Sequence, residues 1–379
     1  MKKVVVHLFY ELPNVFNDKY IYFVDDEFSN LEHEAIIYNS KKFNAEAYKD
    51  SKFRFYPLPE ASLRKFRYLL KFFHKRDFDL LIIHGLFYRD LDIVFMALVS
   101  RFTNIGKKTL WSMWGGDIYS FQLPPESFLR RVKFNIEEFF KKETIQKIAF
   151  STTIVPSQAK SLNENYKVEF QPYDAFYPNP LKFEIIADIK SVQTNFGDDK
   201  KLVLLGNSAS PSNNHLLGLE LLSEFVGKIS VLCPMAYGNN VYRQEVIAVG
   251  NKIFAEDFSC QTQFLEPEAY LHKLNHVDCA LFVHDRQQAL GNIMILLCLG
   301  KKVFMKKEAL HYIFLKNLGF SVFAIEDLST EIFSDVTIDR NEEYRKVIRF
   351  FSDSAAKDKW ANVFERTIAR TREEKTLIV

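Results

Sequence analysis

Short apolar runs of strand length alternate with helical patterns along most of this 379-residue chain. In the first half, the pattern predicts strands at Val4 to Phe9, Ala35 to Tyr38, Leu80 to His84, Thr109 to Met113 and Thr152 to Val155. Such alternation is typical of a parallel sheet that is covered by helices on both faces. We therefore expect an α/β fold.

The second half repeats this pattern, with strands predicted at 202–205, 229–233, 262–265, 279–283, 302–305 and 320–323. Single hydrophobic cores stop growing at about 250 to 300 residues, so the length favours two Rossmann-like domains. Three close prolines, Pro172, Pro178 and Pro180, precede a polar stretch and indicate a linker. We expect a first domain at 1–175, a linker at 176–200, a second domain at 201–340, and C-terminal helices at 341–379 that return to the first domain.

Two polar turns of the second half join a strand to a helix. In the first, Lys201 to Asn214, Gly206 permits a ligand to approach the backbone, and the following helix N-terminus carries partial positive charge. The second, His284 to Asn292, contains Arg286 and two glutamines that suit an anion's oxygens and a sugar's hydroxyls. Both turns favour a phosphate or diphosphate ligand, although an ordinary connecting loop also explains the first one taken alone.

Several classes of protein are disfavoured. No Gly-x-Gly-x-x-Gly follows the first strand, which argues against a nicotinamide dehydrogenase. The four cysteines have no Cys-x-x-Cys spacing and are expected to be buried thiols in a reducing compartment. No apolar run approaches the ~20 residues of a membrane span, and the N-terminus resembles a first strand and not a signal peptide.

Positive charge is concentrated between residues 51 and 150. This region has eighteen Lys and Arg against ten Asp and Glu, a local charge of +8 in a chain whose total is +2. Two of its segments, 63–76 and 128–142, interleave basic and aromatic residues, as helices on an anionic membrane surface do. Helices that bury their aromatics in the core would show the same pattern. The remainder is acidic and lacks a nucleic-acid-binding motif, so nucleic acid is not expected as a partner.

Polar residues also fall at the expected carboxyl ends of the first-half strands, where parallel sheets bind ligands. They are His7, His84 with Gly85, and the segment Trp114 to Tyr119. Two Asp-x-Asp pairs, Asp77 with Asp79 and Asp90 with Asp92, are not expected to bind a metal. The first pair precedes its strand, and the second is better explained as a helix start.

Taken in order, these motifs resemble the family of dTDP-4-acetamido-4,6-dideoxygalactose (Fuc4NAc):lipid II transferases, glycosyltransferase family 56. The resemblance covers most of the chain but is poor from Glu11 to Glu60. The family has Ala in its Trp-Gly-x-Asp motif where this chain has Gly116, and Gly after its Gln pair where this chain has Ala289. The residues that carry it are His84-Gly85, Trp111, Trp114 to Tyr119, Leu205 to Ser208, Ser212-Asn213, Pro234 to Asn239, Tyr270-Leu271, Asp278, and Arg286 to Gly291.

The resemblance implies a GT-B fold with an acceptor-binding first domain and a nucleotide-sugar-binding second domain. It implies inverting, metal-independent transfer of Fuc4NAc from dTDP-Fuc4NAc to a polyprenyl-diphosphate-linked glycan, with no cofactor. The product would belong to a bacterial cell-surface polysaccharide, such as enterobacterial common antigen or O-antigen. The expected place is the cytoplasmic face of the inner membrane, with an anionic membrane surface as a partner.

Inverting transfer needs a base for the acceptor hydroxyl and groups that stabilise the departing dTDP. Asp117 ranks first as the base because it follows a strand and a Gly-Gly turn, and His84 and His7 are the other candidates. Each of the three is also explained as a hydrogen-bonded structural residue. Trp114, Gly115 and Tyr119 are expected to shape the acceptor site. The donor is assigned to Gly206, Asn207, Ser208, Asn213, Tyr237, Asn239, Arg286, Gln287, Gln288, Gly291 and Asn292.

Three alternatives stay open. A transferase that uses another dTDP-sugar or a UDP-sugar is closest, a nucleotide-sugar 2-epimerase of the same fold is next, and a two-domain solute-binding protein is the non-enzymatic option. Membrane contact is expected through the 63–76 helix. Its cations would face anionic lipid, and its phenylalanines would add apolar contacts if they face outward. These residues are Lys65, Arg67, Lys71, Lys75, Arg76, Phe66, Phe72 and Phe73.

Overall fold

The computed structural model describes residues 2–119, 121, 127–189 and 200–376. The chain divides into two compact units, the first comprising Met1–Pro178 with Asp353–Val379 and the second Asn179–Ser352. Residues 190–199 of the predicted linker lie outside the described residues. So does Glu126, the residue at which the helical pattern of 126–147 in the sequence begins.

The first unit is built on a parallel sheet, as the alternating pattern predicts. Its strand order is β3-β2-β1-β4-β5-β6-β7, so the direction of winding reverses between β1 and β4. Ligands of such sheets bind at this switch point, beyond the carboxyl ends of the strands. The strands are β1 (Val4–Glu11), β2 (Glu32–Asn39), β3 (Arg54–Pro57), β4 (Leu80–His84), β5 (Thr109–Ser112), β6 (Phe150–Thr153) and β7 (Tyr173–Asp174).

In the described part of this unit, five α-helices connect these strands. The first was not predicted, although Asn14 is a clear N-cap whose side-chain oxygen accepts hydrogen bonds from the N–H of Phe16 and Asn17 at 3.1 and 3.3 Å. The helices are α1 (Val15–Glu27), α2 (Ser62–Lys75), α3 (Asp90–Phe102), α4 (Phe128–Ile145) and α5 (Gln158–Tyr166).

Helix α2 turns its aromatic side toward the protein. Phe73 is buried, the ring of Phe66 stacks on Phe95 at 4.9 Å between centroids, and Lys65 is buried with its amine 4.3 Å from the centre of the Tyr38 ring. The expectation that Lys65 faces anionic lipid is therefore wrong, and of the two alternatives for Phe66, Phe72 and Phe73, core packing is the one observed. Burying a phenylalanine stabilises the fold by about 1.5 to 3 kcal/mol, so a helix with a core available to it packs inward.

The second unit has a separate parallel sheet of order β10-β9-β8-β11-β12-β13, with its switch point between β8 and β11. The strand predicted at 262–265 is wrong: the strand lies four residues earlier, and Phe264 is 65% exposed in the loop that follows. The strands are β8 (Lys201–Leu205), β9 (Ile229–Pro234), β10 (Phe258–Gln261), β11 (Cys279–Phe282), β12 (Lys302–Met305) and β13 (Val322–Ala324).

The most buried helix of this unit is the one that follows β11, and it has almost no polar side. A later helix packs on it within the same unit, where Arg340 donates to the carbonyl of Cys298 at 3.0 Å. Residues 341–352 thus belong to the second unit, contrary to expectation. The helices are α6 (His215–Leu222), α7 (Asn240–Phe254), α8 (Pro267–Asn275), α9 (Leu290–Cys298), α10 (Leu310–Asn317), α11 (Leu328–Glu331) and α12 (Arg340–Phe351).

The last helix, α13 (Asp353–Thr376), belongs to the first unit. Trp360 is fully buried and donates its indole N–H to the carbonyl of Phe176 at 2.8 Å. Arg372 binds both carboxylate oxygens of Asp79 at 2.7 and 3.1 Å, and Asp79 also accepts from the N–H of Val4. Asp79 therefore secures the N-terminal edge of the sheet, at the opposite end from a ligand site.

Candidate active site

A chain of three buried histidines crosses the first sheet toward its switch point. His33 lies on β2, His7 on β1 and His84 at the end of β4. His7 Nε2 is 3.0 Å from His33 Nδ1, and His7 Nδ1 is 3.0 Å from His84 Nε2. This row of histidines has a partner at each end. His33 Nε2 is 3.2 Å from the Phe28 carbonyl oxygen, and His84 Nδ1 is hydrogen-bonded to the Tyr177 hydroxyl.

The carbonyl of Phe28 determines the direction of every hydrogen bond in this chain. Burial lowers the pKa of His33 to about 4 and holds the pKa values of His7 and His84 well below their usual range, so all three imidazoles are neutral near pH 7. A neutral imidazole has one N–H and one acceptor, and a carbonyl only accepts. His33 therefore donates to Phe28, His7 to His33 and His84 to His7, which leaves His84 Nδ1 as an acceptor.

Tyr177 completes this chain at the carboxyl edge of the sheet. Burial raises the pKa of its phenol, which stays protonated and donates to His84 Nδ1. Its ring is half-buried and packs against Tyr20 at 4.6 Å and Trp114 at 4.5 Å between centroids. Neither His33 nor Tyr177 was predicted as a site residue. Tyr177 lies 93 residues beyond His84 in a proline-rich stretch without a motif.

Asp117 connects two loops from behind the site. Its carboxylate is only 2% exposed and accepts three N–H groups: the Trp114 backbone and the Leu86 backbone, each at 2.9 Å, and the Trp111 indole at 2.8 Å. The Lys141 amine donates to its backbone carbonyl. A general base must present a lone pair to the substrate, and this geometry disfavours Asp117 in that role.

The three residues expected to shape the acceptor site differ in their exposure. Trp114 is half-buried, and its ring meets the exposed Phe16 edge-on at 5.5 Å. Gly115 adopts a left-handed backbone conformation (φ 79°), which lets its carbonyl accept from Tyr119 at 3.2 Å. Tyr119 is 6% exposed and lies in the hydrophobic core, contrary to expectation.

In the second unit, the loop after β8 is held by Asn213. Gly206 has φ 69°, and a Cβ there would lie 2.4 Å from His215 Nε2. The Asn213 side chain is fully buried; its oxygen accepts from the N–H of Asn207 and from His284 Nε2, both at 2.9 Å, and its amide donates to Ser208 at 3.1 Å. This burial indicates that Asn213 shapes the loop, in contrast to the prediction that it contacts the donor.

The loop after β9 lies alongside. Its backbone pairs with the first loop, because Ala209 donates to the Tyr237 carbonyl at 2.8 Å and accepts from the Asn239 N–H at 2.7 Å. Tyr237 is 57% exposed, and its hydroxyl accepts from the Asn207 side chain at 3.3 Å. The Asn239 side chain instead caps α7 by accepting from the Tyr242 N–H at 3.0 Å. Tyr237 is thus the member of this pair that a ligand can reach.

The turn between β11 and α9 completes the candidate donor site. The Gln288 oxygen accepts from Ser212 at 2.9 Å, which joins this turn to the loop after β8. The Gln288 amide nitrogen is buried and has no partner within the described residues. Asn292, in the first turn of α9, donates to the Tyr270 hydroxyl at 3.0 Å. The turn also contains the half-buried Arg286 and Gln287, and the first N–H groups of α9 have no partner inside the helix.

Three more buried histidines lie behind these loops. Burial lowers the pKa of His215 and His311 to about 4 and holds the pKa of His284 well below its usual range. Nearby cations, including Arg286, lower the pKa of His284 further. The rings of His284 and His311 stack with their centres 6.1 Å apart. These neutral imidazoles add no positive charge behind the loops.

Solved structures that are similar to this chain include glycosyltransferases. One from Rickettsia africae has a TM-score of 0.69 at 13% identity, covering 97% of this chain and 99% of that chain. The lipopolysaccharide outer core galactosyltransferase WaaB has 0.65 at 9%, covering 97% and 100%. Anabaena HepE, in complex with UDP and glucose, has 0.65 at 10%, covering 96% and 100%. This likeness establishes the two-domain GT-B fold, which confirms the predicted fold class.

The family follows from the sequence itself. Residues 3–369 match the family described as 4-alpha-L-fucosyltransferase, glycosyltransferase group 56, and the chain belongs to this family. The protein is therefore a glycosyltransferase, as the motif resemblance indicates.

Proposed function

We propose that the protein transfers Fuc4NAc from dTDP-Fuc4NAc to a glycan carried on polyprenyl diphosphate, with inversion and without a metal ion. The family description names a fucosyl group, and Fuc4NAc has the same 6-deoxygalactose frame. The motifs from His84 to Gly291 that resemble the Fuc4NAc transferases support the finer assignment. The pathway we propose is bacterial cell-surface polysaccharide synthesis.

The observation that carries the proposal is the junction of the loops after β8 and β11 at the switch point of the second sheet. Ser212 and Gln288 hold them together, and Gly206 lets the loop after β8 pack closely against His215. Arg286 and the N-terminus of α9 supply positive charge at the same edge. Backbone amides and a guanidinium are able to stabilise a departing diphosphate without a cation.

A thermal-shift screen tests the donor. With dTDP, UDP, GDP and ADP compared in EDTA and in Mg²⁺, we expect dTDP alone to stabilise the protein, and equally in both buffers. A nucleotide present at a hundred times its Kd stabilises the folded state by about 2.7 kcal/mol. Preference for UDP would point to another donor, and a requirement for a divalent ion would contradict the metal-free mechanism. Product analysis by NMR separates transfer from 2-epimerisation, and stabilisation by free sugar alone would indicate a solute-binding protein.

We also propose that the protein binds the cytoplasmic face of the inner membrane, because a polyprenyl-linked acceptor cannot leave the bilayer. No helix in the described ranges is long and apolar enough to cross a membrane. Helix α4, however, exposes large apolar side chains on one arc of about 100°, since a helix turns once per 3.6 residues. They are Phe128 (77% exposed), Leu129 (79%), Val132 (44%), Ile136 (51%) and Phe139 (59%).

The opposite side of α4, with Lys141, Thr144 and Ile145, is buried. Exposed Arg131 flanks the apolar arc, whereas Arg130 lies on the other side of the helix. An apolar arc flanked by a cation suits an anionic bilayer, into which the apolar side chains insert. The membrane-facing segment we propose is thus the second basic aromatic segment and not the first.

Sedimentation with anionic liposomes tests this surface. The double variant Leu129→Ser with Ile136→Ser should lose most of its binding, because two inserted side chains are removed. Leu63→Ser, at a site 51% exposed on α2, is the matched control and should bind like the unchanged protein. Equal binding by all three proteins would show that α4 does not contact the bilayer.

A further inference from the structure

We propose that Tyr177 is a catalytic residue that passes the acceptor's proton to His84, and that His7 and His33 are positioning residues that keep His84 in the accepting tautomer. This inference rests on the proposed function, because it concerns the base of that glycosyl transfer. No sequence motif indicated Tyr177 or His33 for this role.

Access to His84 is the first argument. The imidazole is 3% exposed, and both ring nitrogens are hydrogen-bonded, Nε2 to His7 and Nδ1 to Tyr177. An acceptor hydroxyl therefore cannot reach the basic nitrogen directly. The Tyr177 hydroxyl already occupies that nitrogen, and its half-buried ring lies beside Trp114 at the carboxyl edge of the sheet. After donating to His84, a phenolic oxygen still has lone pairs that accept a proton from a substrate.

The direction of the histidine chain is the second argument. Because the Phe28 carbonyl only accepts, His33 and His7 are fixed as donors toward it, and His84 must present a lone pair to Tyr177. The reverse direction would put an N–H on His84 Nδ1 and leave no base at the edge of the sheet. In many enzymes a base is oriented in the same way by the group behind it, usually a carboxylate. Here a second imidazole fills that position.

In the proposed transfer, one bond forms as another breaks. The acceptor oxygen forms a bond to the anomeric carbon while the bond from that carbon to the diphosphate breaks, and its electron pair leaves with dTDP. The acceptor's proton moves to the Tyr177 oxygen, and the proton of Tyr177 moves to His84 Nδ1. The result is the glycoside, dTDP and an imidazolium, whose Nε2–H remains bonded to His7. When the products leave, the imidazolium returns its proton through Tyr177 to water, which restores the resting state.

Steady-state transfer by the full chain tests the role of Tyr177, with dTDP-Fuc4NAc and a polyprenyl-diphosphate-linked glycan as substrates. Tyr177→Phe should lower kcat by a factor of roughly 10² to 10⁴, the range typical of general acid–base groups, while KM for the donor changes less than threefold. The solvent deuterium isotope effect on kcat should also fall toward one. Tyr22→Phe is the matched control, because Tyr22 is a surface tyrosine of the same unit that donates only to the Ala47 carbonyl.

Paired substitutions test the positioning role of His7. His7→Asn replaces the accepting ring nitrogen by an amide oxygen that can accept from His84 Nε2, whereas His7→Leu removes the acceptor. With equal folding by circular dichroism and equal stabilisation by dTDP, the Asn variant should retain at least tenfold more kcat than the Leu variant. Equal losses would reduce His7 to a packing residue, and if the Leu variant does not fold, the Tyr177 result decides alone.

Failure of this proposal is distinguishable from failure of the proposed function. If the unchanged protein turns over another sugar nucleotide in place of dTDP-Fuc4NAc, the donor assignment is wrong, and Tyr177→Phe is measured with the active donor. If Tyr177→Phe retains kcat within threefold with any donor that the unchanged protein uses, Tyr177 does not carry the proton. The transferase function would then stand without this relay.

Discussion

Acidification should destabilise both units of this protein steeply, because six of its nine histidines are buried and neutral. Burial depresses the folded-state pKa of each, to about 4 for His33, His215 and His311. A histidine depressed below its unfolded value of about 6.5 contributes stability that is present above that value. The contribution is lost as pH falls from about 6.5 toward 4, since the unfolded chain binds the proton first.

The magnitude follows from these pKa values. One histidine with a folded pKa of about 4 loses about 1.3 kcal/mol of unfolding free energy between pH 7.5 and pH 5.5, and about 3 kcal/mol by pH 4. The free energy of unfolding contributed by three such histidines, His33, His215 and His311, falls by about 4 kcal/mol in total by pH 5.5. His7, His84 and His284 act in the same direction. A typical domain has only about 5 to 15 kcal/mol in total, so the transition should fall well above pH 4.

Urea denaturation followed by circular dichroism at pH 7.5, 6.5 and 5.5 measures this loss. His311→Leu is the informative variant, because neither ring nitrogen of His311 has a partner within the described residues, and only its ionisation is removed. Its loss between pH 7.5 and 5.5 should be about 1.3 kcal/mol smaller than that of the unchanged protein. Exposed His272→Gln should leave the loss unchanged. A free energy of unfolding that is constant over this range would refute the argument.

Three further predictions concern the loops. Asp117→Asn should lower the free energy of unfolding, measured by urea denaturation, by about 1 to 3 kcal/mol, because buried N–H groups lose an acceptor. Unchanged stability with a large fall in kcat would instead restore Asp117 as the base. Gly206→Ala should abolish the thermal shift by dTDP, because the new Cβ would clash with His215, and an undiminished shift would move the diphosphate elsewhere. Arg286→Ala should weaken binding of dTDP-Fuc4NAc in calorimetry by about 1.5 to 3 kcal/mol, and unchanged affinity would exclude the charge-assisted contact.

The sequence predicted most of the fold because the strands of a parallel sheet are apolar throughout and stand out from the helical periods between them. The bounds of β4 and β12 were predicted to the residue. Helix α1 and strand β3 were missed, both within a region rich in scattered aromatics. β3 is an edge strand of four residues without a buried side chain, so its apolar pattern is weak.

The loops of the candidate site follow strands that the sequence predicted, but the sequence did not show which of their side chains are buried. A motif shows that a loop needs a polar residue and not whether that residue points outward or inward. Asp117 and Asn213 point inward, because their partners come from distant segments such as Leu86 and His284. Tyr177 and His33 join the site only through tertiary contacts, and no local pattern announces such contacts.

The two basic aromatic segments show why composition cannot identify a membrane-facing surface. Both α2 and α4 combine cations with phenylalanines at helical spacing, and in sequence α2 is the more regular of the two. Regular amphipathicity is what a core-facing helix needs, and α2 accordingly buries Leu69 and Phe73. In α4 the buried side includes Lys141 and Thr144, while Phe128 and Leu129 are among the most exposed apolar side chains described. The helix whose apolar side has no core to cover it is the better candidate for insertion into lipid.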